Sequence, residues 1–155
     1  MVATAKGHYL DVRDFEPADY LAIWDQIAGQ FPSPRHLHPH RWAEEYAESG
    51  PAFTGWWHGH ILACAGLMMP WPHLASAWAV LTPEGRRHPV MVHRTVRRFL
   101  DALAAAHQLR RIEAIAIEQD PRARRWLERL GFAIESRRPL WGPQGEAGIN
   151  YVRFP

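Results

Sequence analysis

The chain has 155 residues, 47% of them hydrophobic, with 18 basic and 16 acidic side chains and a formal net charge of +2. That length suits a single domain spanning the whole chain, able to bury roughly 70% of its unfolded surface, and the composition excludes a disordered polymer. One cysteine, Cys64, excludes an internal disulfide and points to a reducing, cytoplasmic compartment, while no apolar run approaches the ~20 residues of a membrane span and the N-terminus lacks an apolar leader.

Tyr9 to Arg13 reads as a first strand, with Leu10 and Val12 on one face. Pro17 opens a helix in which Tyr20, Ile23, Trp24 and Ile27 share a side, and Gly29 closes it. Gln30 to Pro39 is a proline-rich loop, and Pro39 to Glu48 a second helix with Trp42 and Tyr46 on one face. Ala52 to Trp57 and Ile61 to Met69 form a hairpin that turns at His58, Gly59 and His60, and Pro70 to Pro72 interrupt it.

Ala75 to Leu81 is a short apolar run suited to a strand buried on both faces. Thr82, Pro83 and Gly85 break it into a tight basic turn. Pro89 then fits the first position of a helix, because its missing N–H has no partner to lose there. Val92, Val96, Phe99, Leu100 and Leu103 follow at helical spacing as one apolar stripe. A basic turn feeding a helix N-terminus suits an anion, since free N–H groups and the helix dipole point at it.

Arg111 to Glu118 is the next strand, parallel to Ala75–Leu81 through the intervening helix. Asp120 caps a further helix that ends at Gly131, with Ala123, Trp126, Leu127 and Leu130 as its buried stripe. Phe132 to Arg137 and Gly148 to Phe154 close the chain as two strands. The order β-α-α-β-β-β-α-β-α-β-β mixes hairpins with one parallel crossover. The fold class is therefore α+β, with helices flanking a central, mixed and mostly antiparallel sheet.

That layout resembles the GNAT superfamily of acyl-CoA-dependent N-acyltransferases. Two segments carry the likeness: the strand–turn–helix from Ala75 to Leu100, and DPRARRWLERLGF from Asp120 to Phe132, similar to the family's N-x-x-A-x-x-L-Y-x-x-x-G-F helix. The tail FAIESRRPLWGPQGEAGINYVRF also looks like the family's closing hairpin. A closer likeness is to small GNAT-like proteins of tailed bacteriophages, through Trp78 to Thr82, His88-Pro89, and Arg125 to Phe132.

The resemblance implies acetyl transfer from acetyl-CoA to an amine acceptor. Main-chain N–H groups at Val80 and Leu81 would polarise the thioester, and Arg86, Arg87, His88 and Val90 would hold the pyrophosphate. Asp120 stands at the family's Asn position. Glu118, closing its strand where the fold splays open, is the expected proton acceptor, and His88 an acid or phosphate contact.

Two departures stand against this. In the family's Q/R-x-x-G-x-G/A turn, starting at Arg86 puts Pro89 and Met91 at the small positions, and starting at Glu84 puts Arg87 and Pro89 there. Leu127 occupies the position of the family's tyrosine acid. The alternative is therefore a non-catalytic domain that serves in a virion or binds a host protein.

Other patterns stay secondary. His36, His38 and His40 alternate in a loop, but no carboxylate or cysteine joins them, so no metal site is expected. Trp56, Trp57, Trp71 and Trp141 suit packing or an acceptor groove. Arg94, Arg97, Arg98, Arg122, Arg124 and Arg125 form a basic surface without aromatic interleaving or a known binding motif, so nucleic acid is not an expected partner, and without a long apolar run neither is a membrane.

Overall fold

The computed structural model describes residues 9–30 and 38–155. Seven strands form one sheet: β1 (Asp11–Asp14), β2 (Ala52–Trp57), β3 (His60–Trp71), β4 (Leu74–Leu81), β5 (Arg111–Ile117), β6 (Ala133–Arg138) and β7 (Gly148–Arg153). Their spatial order is β1-β2-β3-β4-β5-β7-β6. Every neighbouring pair is antiparallel except β4 and β5, which run parallel as expected from the helix between them.

The helices are α1 (Pro17–Ala22), α2 (Trp24–Ile27), α3 (Pro39–Glu48), α4 (Pro83–Arg87), α5 (Pro89–Ala106) and α6 (Pro121–Arg129). Pro at the first turn starts α3, α4, α5 and α6, and Asp120 caps α6 by accepting a hydrogen bond from the Ala123 N–H at 3.1 Å. Gly131, at φ +91°, stops α6 in the left-handed region.

Two apolar cores lie on opposite faces of the sheet. One joins α5 and α6 to Leu62, Leu67, Ile112 and Tyr151. The other joins α1–α3 to Ile61, Cys64 and Val80. None of the helices among the described residues is long and apolar enough to cross a membrane.

Several local expectations change. The first helix breaks at Ile23, whose backbone leaves the helical region at ψ 2°, yet Tyr20, Ile23 and Ile27 all stay buried. The β2–β3 turn needs only His58 and Gly59, at φ 48° and 78°, so His60 already belongs to β3. Pro70 lies within β3 rather than ending it, where the register with β4 shifts.

The apolar run of β4 is not buried on both faces: Ser76 and Ala79 are exposed. Trp126 does not bury itself under the closing strands. It stays half-buried, and its indole donates to Nδ1 of His93 on α5 at 3.2 Å.

Candidate active site

β4 and β5 pair only over Leu74–Arg111, Ala75–Ile112 and Ser76–Glu113. Beyond that point residues 77–81 and 114–117 continue as strands without pairing to each other, which opens a wedge in the middle of the sheet. Ala75 and Ile112 share the core under α5 and α6. Alternation therefore puts Ala77 and Ala79 on that face of β4, and Ala114 and Ala116 on that face of β5. The lips of the wedge nearest the crotch therefore carry methyl groups on that face, and Leu81 follows them at the end of β4.

The main chain of β4 alternates too. The Thr82 N–H bonds to the Leu62 carbonyl at 3.0 Å, so Val80 and Trp78 direct their polar groups to β3, and Ala79 and Leu81 direct theirs into the wedge. Of the N–H pair expected at Val80 and Leu81, only that of Leu81 turns into the wedge, because the Val80 N–H belongs to the β3 ladder. The Leu81 carbonyl already accepts from Gln30 Nε2 at 2.6 Å, a contact that sequence spacing could not show.

The basic turn folds into the short helix α4. Thr82 caps it through Oγ1, which accepts from the Gly85 N–H at 3.1 Å and donates to the Ile61 carbonyl at 3.0 Å. Gly85 sits so close to β3 that a Cβ would lie 2.1 Å from the Leu62 carbonyl oxygen. The Arg86 N–H bonds to the Thr82 carbonyl and the His88 N–H to the Gly85 carbonyl.

These donors are therefore spent inside the turn. The Val92 N–H bonds to the His88 carbonyl, and Pro89 has no N–H. Val90 and Met91 are left as the donors of the α5 N-terminus, where no side chain caps.

Glu84 lies among the basic side chains, 3.6 Å from Arg87 Nη1 and 3.3 Å from His88 Nε2. Arg86 is exposed and makes no ion pair among the described residues. An incoming anion meets Arg86 unopposed but competes with Glu84 for Arg87 and His88.

Glu118 ends beside the wedge, but Arg137 grips both of its oxygens, Nε to Oε1 at 2.8 Å and Nη2 to Oε2 at 3.0 Å. Those hydrogen bonds hold its pKa below the ordinary carboxylate range. A carboxylate so occupied is a weaker base than a free one, which counts against the role expected for it. His88 does not join it. Its ring lies by Glu84 and 6.3 Å from the Trp57 ring, on the β3 side of β4. Asp120 serves as the α6 cap, so its carboxylate is engaged at home.

Leu127 packs partly buried against the main core. A phenol is nonetheless nearby. Tyr151, on β7 and fully buried, accepts from Arg124 Nε at 3.1 Å, and Arg124 Nη1 also donates to the Glu118 carbonyl at 3.2 Å. Nothing in the α6 motif signals Tyr151, because it comes from another strand.

On the other face, toward α1–α3, Trp78 stacks on Tyr46 with ring centroids 3.8 Å apart, and Trp42 lies 5.6 Å from Tyr46. Glu113, at the crotch of the wedge, uses Oε1 to accept from Arg111 Nε at 2.9 Å. Arg111 also forks to Glu135, which in turn accepts from Asn150 Nδ2 at 2.9 Å. Glu113 and Glu135 went unnoticed in the sequence, though the alternation of RIEAIAI does put Glu113 opposite the alanine face.

Trp56, Trp57, Trp71 and Trp141 form no common groove. Trp56 lies under Arg13, Trp57 by His58, Trp71 is largely exposed and Trp141 covers Gly148. His36 lies outside the described residues. Among the described residues no group of three or more His, Cys, Asp or Glu side chains is arranged to hold a metal.

The sequence matches no protein-family model and no curated protein. Solved structures do match the fold. The acetyltransferase of the GNAT family from Streptococcus pneumoniae superposes with a TM-score of 0.76 at 14% identity, covering 94% of this chain and 99% of that one. A Salmonella typhimurium protein assigned as an acetyltransferase, and solved with acetyl-CoA, gives 0.74 at 13% identity, covering 94% and 93%. Ribosomal-protein-S5-alanine acetyltransferase from Vibrio fischeri gives 0.69 at 21% identity, covering 99% and 97%. With seven strands in this order and a wedge between β4 and β5, the chain has the fold of the GNAT acetyltransferases.

Proposed function

We propose that this protein is an acyl-CoA-dependent N-acyltransferase that moves an acetyl group to an amine. The observation that carries this reading is the alanine-lipped wedge, into which the N–H groups of Ala79 and Leu81 turn. Acetyl-CoA, when bound, supplies the acetyl group as an activated thioester. The N–H groups of Ala79 and Leu81 favour charge on the acyl oxygen without reorganising. Arg86 and the N–H groups of Val90 and Met91 hold phosphate oxygens.

The amine enters from the face that carries Trp78 and Glu113. Glu113 is the carboxylate at the crotch; Arg111 donates twice to its Oε1, at 2.9 and 2.6 Å, but unlike Glu118 it keeps one oxygen, Oε2, without a donor among the described residues, and that oxygen takes the amine proton. Thiol release from acetyl-CoA with a panel of amines tests the reading. Activity that falls about 10²–10⁴-fold in Glu113→Gln supports it. No heat on calorimetric titration with acetyl-CoA rejects it.

A second reading rests on the self-bonded α4 turn, on Glu84 among its cations and on Leu127. In it the fold no longer catalyses and binds a protein, such as a virion or host component. Acetyl-CoA binding without turnover of any amine favours this second reading.

A further inference from the structure

α5 runs from the end of β4 to the start of β5, and α6 from the end of β5 to the start of β6. β4, β5 and β6 are parallel to one another, so the two helices also run in the same direction. Trp126 Nε1 donates to His93 Nδ1 at 3.2 Å across the groove between them. An indole N–H only donates, so Nδ1 is the unprotonated nitrogen and His93 carries its proton on Nε2.

One turn further along each helix stands an arginine. Arg97 follows His93 by four residues and Arg129 follows Trp126 by three, which keeps each on the face of its neighbour.

Both arginines are exposed, and neither has a carboxylate partner among the described residues. Asp101, one turn beyond Arg97, is engaged by Arg153 instead, and Glu128 acts toward Arg124. Burial holds the His93 imidazolium below its usual pKa, and Arg97 and Arg129 both push it further down. Helical spacing thus puts one guanidinium on each helix a turn beyond the Trp126–His93 pair, and neither forms an ion pair with a carboxylate among the described residues.

We propose that the groove between α5 and α6 is an oxyanion site in which His93 Nε2–H, Arg97 and Arg129 receive a phosphate monoester. The fork geometry of arginine suits a phosphate, and a neutral histidine adds a donor without adding repulsion. Two sources share this chemistry: free phosphate, and the 3′-phosphate of CoA. Only the second rests on the proposed acyltransfer.

Ring-labelled histidine NMR, with His93 assigned through His93→Gln, reads the site directly. Titration with inorganic phosphate at constant ionic strength should move the His93 resonances saturably. Arg97→Gln combined with Arg129→Gln should weaken that response about tenfold or more, and Arg110→Gln should leave it unchanged. Absence of a saturable shift, or an equal response in the double variant, overturns the site whatever the fate of the acyltransferase reading.

CoA and dephospho-CoA then separate the sources. A preference for CoA that disappears in the double variant assigns the site to the cosubstrate. Equal affinity, with the phosphate response intact, assigns it to free phosphate.

Discussion

Ser76 and Glu113 are the last residues at which β4 and β5 pair. Everything proposed for the site follows from the parting of the strands there. A sheet strand must satisfy its polar groups or expose them, and β4 turns the N–H groups of Ala79 and Leu81 into the wedge, while Gln30 already takes the Leu81 carbonyl.

Filling the wedge should weaken cosubstrate binding with little harm to the fold. Ala79 is exposed, so Ala79→Phe adds a ring to the wedge rather than to the core. Acetyl-CoA affinity by calorimetry should fall by at least about tenfold, or ~1.4 kcal/mol. An unchanged dissociation constant would put the ligand outside the wedge.

Arg86 and Arg87 should differ in effect. Arg86→Ala should weaken acetyl-CoA by about 1–3 kcal/mol, the range of a lost charge-assisted contact. Arg87→Ala should cost less, because Glu84 already competes for that guanidinium. Glu84→Gln should strengthen binding. Equal losses at Arg86 and Arg87, with no gain in Glu84→Gln, would show that Glu84 does not oppose the anion.

Trp126 should contribute through both its ring and its N–H. Trp126→Phe keeps most of the packing, loses the bond to His93, and should cost about 1 kcal/mol in denaturant unfolding. Trp126→Ala should cost more than that, but less than the ~3–5 kcal/mol of a fully buried aromatic, because part of the ring is in solvent. Equal losses in the two variants would assign the whole effect to the hydrogen bond.

The ion pair between Glu118 and Arg137 gives a pH signature. Arg137 lowers the folded-state pKa of Glu118, so the pair favours the fold above the unfolded carboxylate pKa and stops doing so as pH falls through the lowered value. By carboxyl NMR titration, Glu118 should titrate below ordinary glutamates, and Arg137→Gln should move it back up. Glu118→Gln should leave acyl transfer close to wild type. A loss of 10²-fold or more in that variant would restore Glu118 as the proton acceptor, as general base help is worth roughly 10²–10⁴-fold.

Much of the architecture was legible because its causes are local. Pro89 and Pro121 begin helices by the geometry of their own rings, Asp120 caps through an N–H three residues away, and Gly131 stops the helix through its own φ. The parallel crossover followed from a strand, a helix and a strand in succession. Periodicity also placed the α5 stripe, since Val92, Val96 and Leu100 are buried.

The site resisted this reading wherever its partners are distant in sequence. Glu118 looked like a free strand-end carboxylate, and only the placement of β6 brings Arg137, 19 residues on, against it. The basic turn looked open, but Thr82 and the contact of Gly85 with Leu62 close it into α4. Tyr151 and Gln30 reach the region from β7 and from beyond α2, which no motif on β4 or α6 encodes.

By itself, then, the sequence determined the order of the main elements and many of their ends, because torsion preferences, caps and side-chain periodicity act within a few residues. Only the tertiary structure decided how far β4 and β5 pair, which main-chain donors stay open and which charges are already neutralised. Those outcomes depend on contacts between segments that meet only once the sheet has formed.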